Sequence, residues 1–254
     1  MPAPVRIGHG SDAGRVRPLN EDYHRVWRFG SDKDPLVLLA VADGMGGAAA
    51  GEIASKLAIE ALDDTVRRYV REREAGNQVV GLPSLLEKAI RLANRRVHGA
   101  ALERRTTKGM GTTLTCVAIE ARTAHVGHVG DSRAWLVRDD RIYQLTRDHS
   151  WVEEQIERGV LTEAEGRTHA WRNLITRALG TRPQVAPDTA TVDLEPGDVL
   201  LLATDGLHGV VEAEEILAEV RRTADRQTAV DSLVALANER GGPDNVTVVA
   251  AEVP

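Results

Sequence analysis

Apolar residues follow two different periods along the first half of the chain. Residues 36–42 form a continuous apolar run, which predicts a buried β-strand. Residues 52–74 instead place apolar side chains on one face of a helix. A second helix is predicted to start at Ser84, where Glu87 would complete a capping box. Both helices are expected to lie together on a sheet.

Short strand-like runs replace this helical pattern after residue 111. Turn residues separate them, with Asp139-Asp140 as a tight hairpin, and they predict an antiparallel meander over residues 112–119, 123–129, 134–138 and 141–145. Further strands are predicted over 199–204 and 246–252, and further helices over 214–222 and 229–240. Gly241-Gly242-Pro243 should stop the last helix. Long helices beside hairpin-linked strands favour an α+β domain over alternating βαβ units.

The stretch between residues 150 and 171 interrupts this scheme. Ser150 with Glu153 and Thr162 with Glu165 are two successive capping boxes, so two short helices are predicted around Gly159. They would form a small helical appendage. The alternative is a packed structural hairpin without a further role.

Acidic residues stand at the ends of several of the apolar runs. Each cluster alone is typical of a turn after a strand. A sheet can nevertheless bring distant carboxylates together, and converging carboxylates repel one another unless cations lie between them. Asp, Glu and backbone carbonyl oxygens suit Mg²⁺ or Mn²⁺, whereas zinc would need His or Cys. The coincidence of the clusters therefore predicts a divalent-metal site, and they lie at Asn20-Glu21-Asp22, Asp43-Gly44, Asp205-Gly206 and Asp244-Asn245.

Eight sequence blocks, taken in order, resemble one enzyme family. They are RPLNED at 17–22, VADGMGG at 41–47, GTT at 111–113, GHVGDSR at 127–133, RDHS at 147–150, RNLITRALG at 172–180, TDGL at 204–207 and GGPDNVT at 241–247. The chain is similar over about residues 7–253 to metal-dependent protein phosphatases of the 2C type, and it resembles their bacterial branch. This resemblance implies a four-layer αββα architecture, in which a central antiparallel β-sandwich carries helix pairs on both outer faces. It also implies a single catalytic domain over residues 1–254, with a flap at about 147–182 beside the active site.

The resemblance also assigns roles to the acidic residues. Asp43 would bridge two metal ions, and the Gly44 carbonyl is expected to be accessible because glycine has no side chain. Asp205 and Asp244 would complete the coordination of the first ion. The remaining expected ligands are Glu21 and Asp22, which would hold the second ion through its waters, and Asp131, which would bind a third, weaker ion with Asp205.

Arg17 is the expected phosphate-binding residue, since its guanidinium can hold a phosphate oxygen with two hydrogen bonds. The resemblance assigns Arg17 and Asp43 to catalysis. The expected nucleophile is a hydroxide that is shared between two Mn²⁺ or Mg²⁺ ions and attacks the phosphorus in line. Asn173 is expected to approach the third ion from the flap. Bacterial relatives usually carry histidine at position 48, whereas this chain has Ala48, so the group that protonates the leaving oxygen is left open.

Composition narrows the class of protein further. The hydrophobic content of 42% over 254 residues is enough for one large core. A net charge of -6 argues against a nucleic-acid surface. No apolar run is long enough to span a bilayer and the start lacks an apolar signal region, so a cytoplasmic protein is expected. Cys116 is the only cysteine, which predicts a buried thiol and no internal disulfide.

Other classes of function explain fewer of these residues. The glycines after Asp43 fit a dinucleotide fingerprint, but an aspartate would then face the pyrophosphate, and no second strand ends in an acidic residue. Ser132 lacks the Gly-x-Ser-x-Gly elbow of a serine hydrolase. The sequence therefore predicts a monomeric phosphatase for phosphoserine and phosphothreonine in proteins, opposing a bacterial Ser/Thr kinase. A phosphoprotein-binding regulator and a phosphatase for small phosphomonoesters remain the alternatives.

Overall fold

A computed structural model describes residues 5–31, 34–46, 50–103 and 105–254. The strands of these residues are β1 (Arg6–Asp12), β2 (Tyr23–Ser31), β3 (Asp34–Ala42), β4 (Gly44–Met45), β5 (Gly111–Thr112), β6 (Leu114–Glu120), β7 (Thr123–Val129), β8 (Arg133–Arg138), β9 (Arg141–Gln144), β10 (Asp188–Asp193), β11 (Val199–Ala203) and β12 (Val246–Glu252). The helices are α1 (Ala50–Glu74), α2 (Leu82–Glu103), α3 (Trp151–Glu157), α4 (Glu163–Thr168), α5 (Asp205–His208), α6 (Ala213–Arg222) and α7 (Arg226–Glu239).

Two five-stranded antiparallel sheets form the centre of the molecule. The first has the order β1-β12-β11-β8-β9 and the second the order β10-β7-β6-β3-β2, while β4 and β5 pair separately. Alternate residues of β3 explain why this strand is apolar throughout. Val37, Leu39 and Val41 face the first sheet, and Leu36 and Leu38 face the helices.

The helices cover both outer faces of this sandwich. α1 and α2 pack on the second sheet, with Ile59, Leu62, Leu86 and Ile90 fully buried. α5, α6 and α7 pack on the first sheet through a separate apolar cluster. Burial of apolar surface on both faces of each sheet stabilises this arrangement. The α+β class and the predicted four-layer αββα sandwich are confirmed.

The predicted meander between residues 111 and 145 is wrong in its topology. Its strands form two hairpins that belong to different sheets, because β6 and β7 lie in the second sheet and β8 and β9 in the first. The chain crosses between the sheets at Gly130-Asp131-Ser132. Gly130 has φ of +117°, and a Cβ atom there would lie 2.5 Å from Thr113, so the crossing requires glycine. This change of sheet brings Asp131 to the end of the sandwich.

The predicted start of α2 at Ser84 is also wrong. The helix begins at Leu82, which places Pro83 in the first turn, where a missing N–H costs no helical hydrogen bond. In the appendage, Thr162 and Glu165 form the predicted capping box. Ser150 accepts a hydrogen bond from the Glu153 backbone as predicted, without the reciprocal bond of a full capping box.

Two further expectations can be compared with the structure. Cys116 is buried in β6, where burial raises the pKa of its thiol to about 12. The described part of the chain contains no helix that is long and apolar enough to cross a membrane.

Candidate active site

The predicted acidic site residues lie together at one end of the sandwich. Strand β3 ends before Asp43, and β11 ends just before Asp205. Asp244 precedes β12, while Asp22 directly precedes β2. Backbone pairing fixes these ends together, since β2 starts opposite the end of β3 and Thr204 N donates to the Thr247 carbonyl. Side chains that are up to about 220 residues apart in sequence are therefore neighbours.

Asp22 is one of the buried carboxylates of this cluster. Its Oδ2 accepts hydrogen bonds from Thr204 Oγ1 at 2.8 Å and Thr247 Oγ1 at 2.7 Å. Its Oδ1 is buried without a hydrogen-bond partner among the described residues. Burial, with smaller contributions from Asp205 and Asp244, raises the pKa of Asp22 to about 7. The threonine hydroxyls fix the orientation of the carboxylate and leave its second oxygen free to bind another group.

Asp43 lies at the centre of the cluster. Its backbone N–H donates to Thr113 Oγ1 at 2.8 Å, and its carbonyl accepts from Thr113 N and Thr112 Oγ1. These bonds hold the turn after β3 rigidly. Burial raises the pKa of the Asp43 carboxyl well above its ordinary value, and the nearby carboxylates raise it further, in the order Asp22, Asp205, Asp131 and Asp244. Most of the acidic side chains of the cluster thus act electrostatically on Asp43.

Asp205 and Asp131 supply two more oxygens without partners. Asp205 is the first residue of α5, and both its Oδ1 and the Oδ1 of Asp131 are buried with no hydrogen bond from the described residues. Burial, followed by the charge of Asp244, raises the pKa of Asp205 to about 6, although a hydrogen bond with Asp43 acts in the opposite direction. Burial, followed by the charge of Asp205, raises the pKa of Asp131 well above its ordinary value. His208 Nε2, 3.1 Å from the Asp131 carbonyl, helps to hold this crossing.

These observations test whether the cluster suits divalent cations. Hard cations bind oxygen ligands, and the buried carboxylate oxygens without partners are such ligands. Carboxylates that raise one another's pKa are stabilised when positive charge lies between them. The cluster fits the expected Mg²⁺ or Mn²⁺ in its donor chemistry. No three His, Cys, Asp or Glu side chains in the described ranges already form a metal-binding arrangement, so the division of ligands between separate ions stays a prediction.

Arg17 belongs to a loop over residues 13–19, which we call the Arg17 loop. Its Nη2 donates to Asp244 Oδ2 at 2.7 Å, and about half of the arginine side chain is exposed. The hydrogen bond and the charge of Asp244 raise the pKa of Arg17, with smaller contributions from Asp205 and Asp43. The guanidinium is therefore permanently charged and lies at the edge of the acidic cluster, as a phosphate-binding residue should.

Glu21 and Gly44 meet the start of α1. The Glu21 carboxylate accepts a hydrogen bond from the backbone of Gly51, in the first turn of that helix, where a negative charge is favourable. A Cβ atom on Gly44 would lie 2.2 Å from the Gly51 carbonyl oxygen and 2.5 Å from that of Glu21. Glycine is therefore required at position 44 for close packing of the helix, a reason that the sequence did not reveal. Whether the Gly44 carbonyl binds a metal stays a prediction.

Two positions singled out in the sequence gain no support from the geometry of the cluster. Asn173 is exposed, and its side chain makes no hydrogen bond to the part of the chain that the structure describes. Its expected approach to a third ion stays a prediction. Ala48 lies outside the described residues.

Sequence reasoning missed the hydroxyl and amide groups that hold the carboxylates. Thr247 faces the interior of the sandwich with Val249, two residues along β12. A threonine at an inward-facing position at a strand end is a signal that could have identified it. Thr113, which supports Asp43, belongs to a short motif that was assigned no role. Nothing in the sequence distinguishes Asn245 from an ordinary neighbour of Asp244.

Comparison with known proteins defines the class. The family model of protein phosphatase 2C matches residues 9–246. The chain belongs to the protein phosphatase 2C family. It is 36% identical over 245 residues to the serine/threonine phosphatase stp of Listeria innocua, covering 95% of this chain and 93% of that protein. It is 37% identical to the serine/threonine protein phosphatase PstP of Mycobacterium tuberculosis, covering 98% of this chain but 45% of that protein.

Solved structures agree with this assignment. The crystal structure of the Mycobacterium tuberculosis serine/threonine phosphatase PstP/Ppp superimposes with a TM-score of 0.85 at 36% identity, over 98% of each chain. A structure of the PstP catalytic domain in complex with two manganese ions superimposes with a TM-score of 0.83 at 35% identity, again over 98% of each chain. The protein is therefore a bacterial-type protein phosphatase on a sandwich fold shared with a relative whose structure contains manganese.

Proposed function

We propose that this protein phosphatase hydrolyses phosphoserine and phosphothreonine in proteins, with Mn²⁺ or Mg²⁺ as cofactor. The observation that carries the proposal is the convergence of Asp22, Asp43, Asp131 and Asp205, whose charges crowd one another, beside the guanidinium of Arg17. The names of the relatives, serine/threonine phosphatases, support the choice of substrate.

Each side chain of the cluster has a proposed part in holding the cations. Asp43, the Gly44 carbonyl, Asp205 and Asp244 would bind the two main ions, and Glu21 and Asp22 would act mainly through water. Cations held by these residues would lower the pKa of water at the site and so supply a nucleophile for hydrolysis of the phosphoester at neutral pH. Asp131 is close enough to act electrostatically on Asp43, and its unpartnered Oδ1 supports the proposal that it binds a third ion with Asp205.

The chain's own residues position the substrate. Arg17 would bind two phosphate oxygens and neutralise charge that grows on them as the bond to the leaving oxygen breaks. Burial of the Asp22 and Asp43 carboxyl groups strengthens the electrostatic contacts there. Since alanine at position 48 cannot transfer a proton, we propose that a water molecule protonates the leaving oxygen.

The wider setting is also proposed. We infer that residues 1–254 form one catalytic domain with the helical appendage as its flap at about 147–182, because both sheets share the apolar interior of the sandwich. The partners would be proteins phosphorylated on Ser or Thr and the Ser/Thr kinase that phosphorylates them. We propose that the protein works in the cytoplasm as a monomer.

Release of phosphate from a phosphothreonine peptide tests the function. The assay compares Mn²⁺, Mg²⁺ and excess chelator, with p-nitrophenyl phosphate as the small substrate. We expect peptide turnover with either ion and none with chelator. Turnover of the small substrate alone would favour a phosphomonoesterase, and metal-dependent peptide binding without turnover would favour a regulator. Full turnover in excess chelator would disprove the metal-dependent reaction.

A further inference from the structure

Asn245 is a buried residue with no assigned role, although it lies beside Asp244. Its side chain makes three hydrogen bonds, all to the backbone of the segment that carries Arg17 and Glu21. Nδ2 donates to the carbonyls of Ala13 at 2.9 Å and Leu19 at 2.8 Å, and Oδ1 accepts from Glu21 N at 2.7 Å. Both N–H groups of this amide and one of the two lone pairs on its oxygen thus form hydrogen bonds to a single segment.

The two carbonyls that share Nδ2 are the two ends of the Arg17 loop. Because Ala13 and Leu19 bind the same nitrogen, the amide closes the neck of the loop, and Arg17 lies between them. The bond to Glu21 extends this connection to the residue that caps α1. One side chain therefore fixes where the guanidinium emerges.

Backbone contacts anchor the same region to the residues around Asp244. Arg15 N donates to the Gly242 carbonyl at 2.8 Å, and a Cβ atom on Gly14 would lie 2.3 Å from the Asp244 carbonyl oxygen. Asn245 N donates to Asp244 Oδ1 at 2.9 Å, so the residue whose side chain closes the loop also orients that carboxylate through its backbone. The loop and the acidic cluster are built around Asn245.

We infer that Asn245 is a positioning residue, which sets the distance between the Arg17 guanidinium and the acidic cluster and so prepares the site for a phosphate group. Exposed loops without such a tie sample many conformations, and ordering the arginine only on binding would cost affinity. The inference rests on the proposed function in one respect, namely that Arg17 binds phosphate.

If Asn245 acts through Arg17, its removal should matter only while Arg17 is present. Asn245→Ala, which leaves two carbonyls and one N–H without partners, should lower kcat/KM for a phosphothreonine peptide by about 10- to 100-fold, because misplacement of a binding group by an ångström can cost that much. The loss should appear mainly in KM. In an Arg17→Ala background the same substitution should cost no more than about twofold, the ordinary error of additivity.

Asn94 offers a matched control. It is also buried, its Nδ2 donates to the carbonyls of Arg182 at 3.1 Å and Pro183 at 3.2 Å, and its Oδ1 accepts from Gly180 N at 2.9 Å. Asn94→Ala therefore removes the same three types of bond from a segment that does not include Arg17. Asn94→Ala can lower thermal stability or turnover by itself. The effect of Arg17→Ala should nevertheless be the same in the wild-type and the Asn94→Ala backgrounds.

The deciding measurement is the double-mutant cycle, run on the Mn²⁺-loaded full chain and repeated with the Kd for inorganic phosphate from calorimetry. Loss of additivity for Asn245 with Arg17, but not for Asn94 with Arg17, supports the inference. If Asn245→Ala lowers kcat/KM equally in the wild-type and Arg17→Ala backgrounds, the inference is overturned. If Asn245→Ala does not fold, Asn245→Ser takes its place, since a hydroxyl can keep one of the three bonds.

The two proposals can fail separately. An active wild-type enzyme with additive effects rejects the positioning role and leaves the phosphatase function intact. A wild-type protein that binds phosphate through Arg17 with the expected coupling, yet releases none from the peptide, supports the positioning role and rejects the proposed reaction.

Discussion

Arg17 Nη2 lies 2.7 Å from Asp244 Oδ2, although the two residues are at opposite ends of the chain. The residue proposed to bind phosphate is therefore in direct contact with a residue proposed to bind metal. A phosphate group held by Arg17 would lie beside the acidic cluster, which is the geometry that hydrolysis of a phosphoester requires.

Arg17→Ala should lower the catalytic efficiency on a phosphopeptide by about 10- to 150-fold, since a hydrogen bond to a charged group contributes about 1.5–3 kcal/mol. Steady-state kinetics with Mn²⁺ measure this loss. Arg15→Ala is the control, because Arg15 lies in the same loop. Its side chain is exposed, and its ion pair is a long one, with 3.8 Å between Arg15 Nη1 and Asp12 Oδ1. Equal activity of the two variants would contradict the role of Arg17.

Asp43→Asn should abolish turnover while leaving the metal-free protein as stable as the wild type or more stable. Burial and four neighbouring carboxylates disfavour the charge on Asp43, so a neutral amide relieves repulsion. The stabilisation that Mn²⁺ gives to the wild type should be lost. Thermal unfolding with Mn²⁺ and with chelator measures both effects. A variant that is still stabilised fully by Mn²⁺ would show that Asp43 is no ligand.

Gly44→Ala should prevent correct folding of the site, because the new Cβ atom would lie 2.2 Å from the Gly51 carbonyl oxygen in α1. Gly99→Ala provides the contrast. Gly99 is in α2, and nothing lies within 4 Å of the place that a Cβ atom would take there, so alanine should stabilise the protein by about 0.4–1 kcal/mol. Urea unfolding of both variants measures their free energies of unfolding. A Gly99→Ala variant less stable than the wild type would contradict the prediction.

His128 should make stability depend on pH in the acid range. It is buried, with Nε2 3.0 Å from the Arg147 carbonyl and Nδ1 2.8 Å from Thr115 Oγ1, and burial followed by the neighbouring His149 lowers its pKa to about 4. Unfolding restores the ordinary value of about 6.5. Between these values the unfolded state binds more protons, so the free energy of unfolding falls as the pH decreases from about 6.5 to about 4.

The variant His128→Gln isolates this effect, because glutamine does not titrate. The free energy of unfolding of the metal-free protein, measured with urea at several pH values, should fall less steeply with decreasing pH for the variant than for the wild type. The difference should reach at most about 3.4 kcal/mol, at about 1.36 kcal/mol for each unit of pKa shift. Parallel curves for the two proteins would show that His128 does not contribute.

Ala48→His should raise turnover of a phosphopeptide more than turnover of p-nitrophenyl phosphate. The nitrophenolate is a good leaving group that needs little protonation, whereas the alkoxide of serine or threonine needs a proton. The ratio of the two kcat/KM values, compared between wild type and variant, measures this. An unchanged ratio would mean that position 48 takes no part in proton transfer.

The sequence by itself determined the α+β class and the identities of the acidic residues, and its motifs carried the family resemblance that implied the sandwich with its outer helices. Apolar alternation specifies which face of each strand is buried, and short motifs retain their chemistry wherever the chain places them. The tertiary structure decided how these parts meet. Glycine at position 130 lets the chain change sheets, so strands that look like one meander in sequence divide between two sheets. Local patterns do not encode such long-range pairings.

The residues that hold the carboxylates by hydrogen bonds show the same limit of prediction from local sequence patterns. Asp22 and Thr247 are 225 positions apart in sequence, and nothing near either residue predicts that one would donate a hydrogen bond to the other. The raised pKa of Asp43 likewise arises from burial and from distant carboxylates rather than from its neighbours in sequence. Asn245 could be assigned a role only after the fold placed its amide across the neck of the Arg17 loop. The sequence supplies the acidic residues, while the packing of the two sheets sets their distances and charges, because both depend on contacts between distant segments.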